Sequence, residues 1–488
     1  MREFNLAAYV LNAGEAVPEK IALAILGLTG AERWSYGRLI GAVRGCGTWL
    51  SQRAAPGDRI LIRMANTPAY PVLYLGAIAA GMVPVATSPL LTTPEITRMA
   101  ALIRPRLILT DPGIALPETL PHSTALPADL AAWEASRPCP YHLGDAEREA
   151  YIVFTSGTSG RPMAVRHAHR AILARQKMHQ GWEGLTPQDR MMHAGAFNWT
   201  YTMGTGLLDP WTLGATALIP GAQVPQEHLG LLIKRHDATI FAGSPAHFRR
   251  LLRNPLPPMP RLRHALSAGE ALPPAVRQAW RDTTGTEIHE AYGMSEISTF
   301  ISASPDRPAP PNATGFPQQG RRIAVLSPEG QALPPGEMGQ LAISTKDQGL
   351  MLSYLDQPPP EGDWFVTGDL VHQGWDGAIH YAGRADEMMN PGGIRVSPRE
   401  VELALSDLPG VTELAVTEIA AADGASFIAC FYAGDTLPEY EAAAFAAERL
   451  ARYKQPRAWV QLDALPRTAS AKINRRALAA LYPKDPQR

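Results

Sequence analysis

The sequence predicts an α/β protein with at least two domains, and three observations lead to this fold class. The chain has 488 residues, 45% of them hydrophobic, which is more than a single core normally accommodates. Short apolar or β-branched runs alternate with helix-like segments through the first half, the pattern of βαβ units in a mostly parallel sheet. The pattern then changes near Thr314 and again after Arg384, which indicates further structural units.

The alternation in the first half falls into two series, and each series predicts one α/β layer. An apolar run such as RILIRM predicts a buried strand, and the longer TPAYPVLYLGAIAAG predicts a helix. We therefore expect two stacked layers. The predicted strands are 59–64 and 83–87 around the helix 67–81 in the first series, and 215–220, 238–243 and 264–270 with the helical segment 247–254 in the second.

Two further units follow in the chain. Between Thr314 and His380, short strands alternate with Gly/Pro turns, which predicts antiparallel hairpins. After Arg384 we expect a small α+β unit, because PREVELALSDL is amphipathic and opens with Pro398, ELAVTEIA and SFIACFYA are strand-like, and EYEAAAFAAERLARY is helical. A boundary near Asp386 divides the chain into domains 1–385 and 386–488.

Composition and charge narrow the class of partner. With 45 Lys+Arg against 46 Asp+Glu, the net charge of -1 offers no global attraction to nucleic acid or to an anionic membrane. The N-terminus lacks the apolar core of a signal peptide, and the stretch Gly76–Leu91 is too short to span a bilayer. Three scattered cysteines without C-x-x-C spacing indicate neither disulfides nor zinc. We expect a cytoplasmic protein with small-molecule partners.

A loop rich in glycine and hydroxyl side chains follows the strand-like run YIVF. Glycines let backbone N–H groups converge on one anion, and hydroxyls add donors, so the loop suits a polyphosphate. A solvated Ser/Gly turn is the alternative, but the length of the run and the apolar segment before it favour phosphate binding. The G-x-x-x-x-G-K-[ST] pattern is absent, which disfavours a Walker-type ATPase. The loop residues are Thr155, Ser156, Gly157, Thr158, Ser159 and Gly160.

The sequence TSGTSGRP resembles the phosphate-binding signature of the acyl-adenylate-forming, or AMP-binding, superfamily, which includes acyl-CoA synthetases, nonribosomal adenylation domains and luciferases. One departure is clear: Met163 stands where the family usually has lysine. We expect the backbone amides and Arg161 or Arg166 to supply the positive charge instead.

SAGEALPP (267–274) and HEAYGMSEIS (289–298) resemble the next two signatures of the superfamily. This likeness implies that Tyr292 stacks on adenine, that Ser295 donates to the α-phosphate and that Glu296 binds Mg²⁺, which prefers oxygen ligands. By itself, Glu296 would be interpreted as a solvated carboxylate. The other residues implied to bind ATP or AMP here are Ala268, Gly269, Glu270, Glu290, Ala291, Gly293 and Met294.

WFVTGDL (364–370) and the segment 381–402 resemble the ribose-binding and hinge signatures. The likeness implies that Asp369 accepts hydrogen bonds from both ribose hydroxyls, although a turn aspartate is the alternative without the neighbouring signatures. It also implies that Arg384 contacts the ribose or a phosphate, that Asp386 is the hinge, and that Gly392 and Gly393 flank the CoA channel.

LPRTASAKINRRAL (465–478) resembles the last signature, in which Lys472 is the adenylation lysine. A cation touching both a carboxylate and the phosphate it attacks lowers the barrier between two anions. Without the resemblance, a lysine in this basic run would be interpreted as a solvated charge. Ala471 replaces the usual glycine before it.

Together the resemblance implies two stacked doubly wound sheets, a β-barrel-like subdomain and a small mobile C-terminal domain. It implies an AMP-forming carboxylic acid:CoA ligase, a monomer or homodimer, that uses ATP, Mg²⁺ and coenzyme A and passes through an acyl-adenylate. The alternatives are acyl transfer to a carrier-protein phosphopantetheine and a non-catalytic nucleotide sensor. The aromatic segment 193–206 favours an aromatic or small compact acid over a long alkyl chain and most resembles benzoate-type ligases, although core packing explains it equally well. The predicted acid-pocket residues are His193, Phe197, Trp199 and Gly243.

Overall fold

The computed structural model describes residues 3–118, 122–156, 162–389, 396–420, 426–468 and 472–483. The strands are β1 Ile21–Leu26, β2 Ala31–Ser35, β3 Arg59–Arg63, β4 Val83–Ala86, β5 Leu107–Thr110, β6 Thr124–Pro127, β7 Glu149–Ser156, β8 Pro162–Ala168, β9 Arg190–His193, β10 Thr216–Pro220, β11 Ile240–Gly243, β12 His264–Ala268, β13 Ile288–Met294, β14 Ser298–Ser302, β15 Phe316–Pro317, β16 Ile323–Leu326, β17 Met338–Ser344, β18 Ser353–Tyr354, β19 Trp364–Gln373, β20 Ile379–Arg384, β21 Val411–Ala420, β22 Ser426–Gly434 and β23 Ala458–Gln461.

The α-helices are α1 Leu6–Glu15, α2 Tyr36–Ser51, α3 Ala69–Ala79, α4 Thr93–Ile103, α5 Leu130–Ala135, α6 Ala171–Met178, α7 Thr200–Met203, α8 Asp209–Thr212, α9 Leu229–Arg235, α10 Pro245–Leu251, α11 Pro274–Thr284, α12 Pro398–Ala404, α13 Glu439–Arg449 and α14 Arg475–Leu481. Two π-helical turns, His179–Glu183 and Gly204–Leu208, follow α6 and α7. Within the described residues, no helix combines the length and the apolar character that crossing a bilayer would require.

Two large sheets form the first part of the chain. One has nine strands in the order β15-β14-β13-β12-β11-β9-β10-β1-β2, and the other has seven in the order β18-β8-β7-β4-β3-β5-β6. Their central strands pair in parallel, and antiparallel strands lie towards the edges. The predicted α/β class with two layers is confirmed.

The apolar runs predicted to be strands or a helix form those elements in the structure, and they are buried on both faces. The run at 59–64 becomes β3, and every residue of the predicted helix α3 from Ala69 to Ala79 is buried. The runs at 215–220, 238–243 and 264–270 become β10, β11 and β12, each with every residue buried. Parallel strands covered by helices require such continuous apolar runs.

The region with Gly/Pro turns forms a four-stranded antiparallel sheet in the order β16-β17-β19-β20. The predicted hairpins are therefore confirmed. One short strand from the same region, β18, leaves this sheet and pairs with β8 in the seven-stranded sheet. This pairing brings Tyr354 next to Glu296 in the segment 289–298.

The last part of the chain has its own sheet and its own core. Strands β21 and β22 pair antiparallel, β23 joins in parallel, and α12 begins at Pro398 with the Ser397 side chain as its cap. Two hydrophobic clusters, represented by Val416 and Phe431, contain only residues after position 388. A small α+β unit follows β20, as the pattern of the sequence indicates.

Candidate active site

Four predicted site residues end neighbouring parallel strands of the nine-stranded sheet. His193 ends β9, Gly243 ends β11, Ala268 ends β12 and Met294 ends β13, and these strands are adjacent in the order β13-β12-β11-β9. The carboxyl edge of an open parallel sheet is where α/β proteins bind ligands, because the loops there leave a crevice. Residues separated by about a hundred positions in sequence therefore meet at one edge.

An aromatic cluster covers this edge. The Trp199 ring lies 5.3 Å from the Tyr201 ring, and His193 lies 4.4 Å from Tyr201, both in edge-on contact. Gly269 has φ +99°, and a Cβ there would come within 2.9 Å of the Trp199 ring. Glycine is required for this close approach. Burial lowers the pKa of His193 well below its ordinary value, so that the ring is neutral.

A cavity between the two large sheets adjoins the edge. Phe197 lines it, and so do Met294 and Ser295, of which Ser295 is the predicted donor to the α-phosphate. His193, Trp199 and Gly243 are not part of its lining and lie on the sheet edge instead. The predicted acid-pocket residues thus divide between two neighbouring positions. The cavity is also lined by Tyr74, Tyr151, His167, Asn198 and Met203.

Arg175 gives the cavity a polar end that the sequence did not reveal. Its Nε and Nη2 donate to Asp209 Oδ1 at 2.8 Å and Oδ2 at 2.5 Å, and its Nη1 donates to Ser298 Oγ at 2.5 Å. A Cβ on Gly204 would lie 2.3 Å from the guanidinium, so that glycine makes room for it. Burial, together with the neighbouring Asp209, raises the pKa of Glu183 well above its ordinary value. No motif marks these residues, because Arg175 in α6, Asp209 in α8 and Ser298 in β14 are far apart in the sequence.

Asp369 is a buried carboxylate held by two tyrosine hydroxyls, with an arginine beside it. Tyr292 Oη donates to its Oδ2 at 2.5 Å and Tyr381 Oη to its Oδ1 at 3.0 Å, while Arg384 Nη1 lies 3.8 Å from Oδ1. Asp369 and Arg384 are register partners on β19 and β20, which explains their proximity. Burial and the Asp369 charge raise the pKa of Tyr292, so that its hydroxyl stays protonated and donates. A carboxylate can accept about four hydrogen bonds, so Asp369 retains capacity for further donors.

Glu296 is a buried carboxylate within electrostatic range of two cations, Lys472 and Arg384. Tyr354 Oη donates to its Oε1 at 2.8 Å. Burial raises its pKa, and the hydrogen bond from Tyr354 and the charges of Lys472 and Arg384 oppose that rise. The carboxylate fits a Mg²⁺ site, since an oxygen ligand whose charge is disfavoured by burial gains from a divalent cation. Among the described residues no group of three or more His, Cys, Asp or Glu side chains could hold a metal by itself.

Glu290 and Glu270 are held by arginines. Glu290 accepts from Leu272 N and lies 3.2 Å from Arg277 Nη2, so it links β13 to α11. Glu270 Oε1 lies 3.6 Å from Arg249, and its Oε2 lies 3.7 Å from Arg467 of the last part of the chain. Both carboxylates, which are predicted to bind ATP or AMP, therefore make ion pairs.

The hydroxyl-rich loop joins β7 to β8. Thr155 pairs with Met163 at its base, and Ser156 pairs with Pro162. Gly157, Thr158, Ser159, Gly160 and Arg161 lie outside the described residues. The Arg166 guanidinium binds Glu149 and donates to Ser353 Oγ at 3.2 Å, so the expectation that it replaces the missing lysine charge finds no support.

Lys472 lies in a short antiparallel pairing whose Arg467, opposite Ile473, is 3.7 Å from Glu270. Thr468 N donates to Lys472 O at 2.8 Å, and the side chain is exposed. Its charge lowers the pKa of both Glu270 and Glu296, against the larger effect of burial, so the amine lies within electrostatic range of each. Asp386 accepts from Arg384 Nε at 3.0 Å, whereas Gly392 and Gly393 lie outside the described residues.

Comparison with known proteins identifies this arrangement. A family model described as AMP-binding enzyme matches residues 11–355, and one described as AMP-binding enzyme C-terminal domain matches residues 400–472. This chain belongs to the AMP-binding enzyme family. The chain is 30% identical to the benzoate–CoA ligase of Thauera aromatica, over 91% of this chain and 90% of that protein. It is 29% identical to a mitochondrial acyl-coenzyme A synthetase of Rattus norvegicus, over 74% of this chain and 68% of that protein.

A benzoate CoA ligase from Burkholderia xenovorans LB400 has the same fold, with a TM-score of 0.88 and 27% identity, covering 98% of this chain and 100% of that one. Membership of the superfamily, predicted from the order of its signatures, is confirmed. In this AMP-binding enzyme, Lys472 is the last residue matched by the C-terminal model, and Asp369 and Arg384 lie between the two matched regions.

Proposed function

We infer that this protein is an ATP-dependent, AMP-forming carboxylic acid:CoA ligase that acts on aromatic acids. Family membership and the similarity to benzoate–CoA ligases support this function. The structural observation that supports it best is the 3.7 Å ion pair of Arg467 with Glu270, which brings the strand pairing next to Lys472 to the site, within electrostatic range of Glu296. Transfer to a carrier protein is not favoured, because the relatives along nearly the whole chain are CoA ligases.

We propose that Asp369 binds the ribose and that Tyr292 packs on the adenine. Two tyrosine hydroxyls hold the Asp369 carboxylate in place, so it is oriented before the nucleotide arrives. Orienting a binding group in advance reduces the entropy lost on binding. Arg384, held on Thr367 O at 2.9 Å, supplies a positive charge beside it for the ribose or a phosphate.

We propose that Glu296 holds Mg²⁺ together with the phosphates of ATP. Mg²⁺ commonly takes one or two carboxylates plus substrate phosphates rather than a protein cage, and Glu296 is the buried carboxylate in the right segment. When bound, the ion neutralises phosphate charge. Tyr354 fixes one oxygen of Glu296 and leaves the other for the metal.

In the first step we propose that an oxygen of the acid attacks the α-phosphorus while the bond from that phosphorus to pyrophosphate breaks. Lys472 and the Ser295 hydroxyl stabilise the negative charge on the reacting phosphate. In the second step the CoA sulfur attacks the acyl carbonyl carbon, the thiol proton passes to solvent, and the bond from that carbon to the phosphate oxygen breaks, so that AMP leaves. For this step we propose a boundary between residues 385 and 386, with Asp386 as the hinge and Gly392 and Gly393 along the thiol channel.

The acid is proposed to bind along the aromatic segment 197–201. The Phe197 ring and the Trp199–Tyr201 cluster provide flat apolar surfaces, and the neighbouring Met294–Ser295 segment connects them to the phosphate site. Compact aromatic acids match such surfaces better than long flexible chains.

A pyrophosphate-release screen tests this function. The acids are benzoate, the hydroxybenzoates, cyclohexanecarboxylate and short and medium alkanoates, each with ATP and Mg²⁺, with and without CoA. We expect release with aromatic acids at the lowest KM and thioester formation only with CoA. A preference for alkanoates by kcat/KM would contradict the aromatic substrate class, and no release with any acid would contradict the ligase function.

A further inference from the structure

The hairpin that carries Lys472 also carries Arg467. Thr468 N donates to Lys472 O at 2.8 Å, and Arg467 forms an antiparallel bridge with Ile473. The two cationic side chains therefore belong to one small unit. A contact that holds Arg467 also restricts the position of Lys472.

Arg467 is part of an ion-pair network of four residues: Arg249, Glu270, Glu413 and Arg467. Arg467 binds the carboxylate of Glu413 and lies 3.7 Å from Glu270 Oε2. Arg249 Nη2 lies 3.3 Å from Glu413 Oε1 and 3.6 Å from Glu270 Oε1. Positive and negative groups alternate, so the network is electrically neutral.

The network joins the two parts of the chain. Arg249 in α10 and Glu270 after β12 belong to the part before residue 386, whereas Glu413 in β21 and Arg467 belong to the part after it. All four side chains are only 20–27% exposed. Partial burial reduces the screening of such pairs by salt.

We propose that Arg467 is a positioning residue for adenylation, holding the Lys472 hairpin over the site through Glu270 and the network. This role rests on the proposed function. Lys472 acts on the phosphate, and Arg467 acts only through it. The Arg467 guanidinium suits this task because its fork can serve two carboxylates together.

The same network can open without leaving a charge unpaired. If the last part of the chain turns away for the thioester step, the contacts Arg249–Glu413 and Arg467–Glu270 break. Arg249 then keeps Glu270, and Arg467 keeps Glu413, because each of these pairs lies within one part. Half-buried pairs of this kind are weak, so that the hairpin can be released in every turnover.

The test measures the two half-reactions of the full-length protein separately. Acid-dependent ATP–pyrophosphate exchange reports adenylation, and conversion of supplied benzoyl-AMP and CoA reports thioester formation. We expect Arg467→Gln to slow exchange about tenfold, the effect of losing two weak ion pairs. Thioester formation should stay within twofold of the wild type, and Arg467→Lys should recover part of the exchange rate.

The matched control is Arg476→Gln, an exposed arginine on α14, which should leave both half-reactions unchanged. Equal losses in both half-reactions for Arg467→Gln would mean a general structural role and would overturn the proposal. Unchanged exchange would overturn it as well. The two proposals fail in different ways. If the wild type shows no exchange with any acid, the proposed function is wrong. If the wild type exchanges and the Arg467→Gln variant exchanges at the same rate, only the role of Arg467 is wrong.

Discussion

Asp369→Asn is the substitution that examines the nucleotide site most directly. Asn keeps the shape of the side chain but removes the charge that accepts from Tyr292 at 2.5 Å and from Tyr381 at 3.0 Å. Two ribose hydroxyls would then meet a neutral group. Hydrogen bonds to a charged group contribute about 1–1.5 kcal/mol more than neutral ones. Two such bonds amount to about 2–3 kcal/mol, or a roughly 30- to 150-fold weaker affinity for AMP and ATP.

Isothermal titration of AMP and the KM for ATP in pyrophosphate release measure this loss. Asp376→Asn is the matched control, because Asp376 is an exposed aspartate in the turn of the same β19–β20 hairpin and caps Ala378 N at 3.0 Å. The control should bind AMP as the wild type does. An affinity of Asp369→Asn within threefold of the wild type would refute the assignment of this carboxylate to the ribose.

Three further predictions concern catalysis, stability and pH. Lys472→Ala should slow ATP–pyrophosphate exchange by about 10²–10³, the usual effect of losing one group that stabilises transition-state charge, while conversion of supplied acyl-adenylate and CoA continues. Arg175→Met should destabilise the fold by about 3–5 kcal/mol in urea denaturation, because the fully buried Asp209 loses the cation that donates two hydrogen bonds to it. Burial lowers the pKa of His167 to about 4, so this neutral histidine stabilises the fold above its unfolded pKa of about 6.5, and that contribution falls by about 1 kcal/mol per pH unit as the pH drops below 6.5 towards 4.

Each of these has a result that would contradict it. For Lys472, a loss of the same size in both half-reactions would remove its special role in adenylation. For Arg175, the double variant Arg175→Met, Asp209→Leu should regain most of the lost stability, and a double variant as unstable as the single one would show that charge is not the cause. For His167, denaturation midpoints between pH 7 and pH 5 should change less in His167→Gln than in the wild type, and equal slopes would disprove the contribution.

The order of the elements and the main site signatures could be predicted from the sequence because both are local. An apolar run such as 59–64 predicts a buried strand, and the segment around Glu296 places a hydroxyl and a carboxylate two and three residues after a glycine. Arg175 could not be predicted in this way. Its partners Asp209 and Ser298 are 34 and 123 residues away, and no local pattern records such a contact.

Arg166 shows that closeness in sequence can also predict the wrong contact. In sequence it is the nearest described arginine after the phosphate loop, yet its guanidinium binds Glu149 across the β7–β8 hairpin. Proximity along the chain to the phosphate loop did not decide its partner, because the pairing of β7 with β8 brings the Glu149 carboxylate to it.

The amino-acid sequence by itself determined the α/β class, the order of the units and the membership of the AMP-binding enzyme family, since each depends on periodicity or on short motifs. Tertiary structure decided which residues meet. Strand order brought His193, Gly243, Ala268 and Met294 to one sheet edge, and the packing of the last part of the chain brought Arg467 into an ion pair with Glu270. Long-range contacts depend on how layers stack and strands pair, which is a property of the whole folded chain.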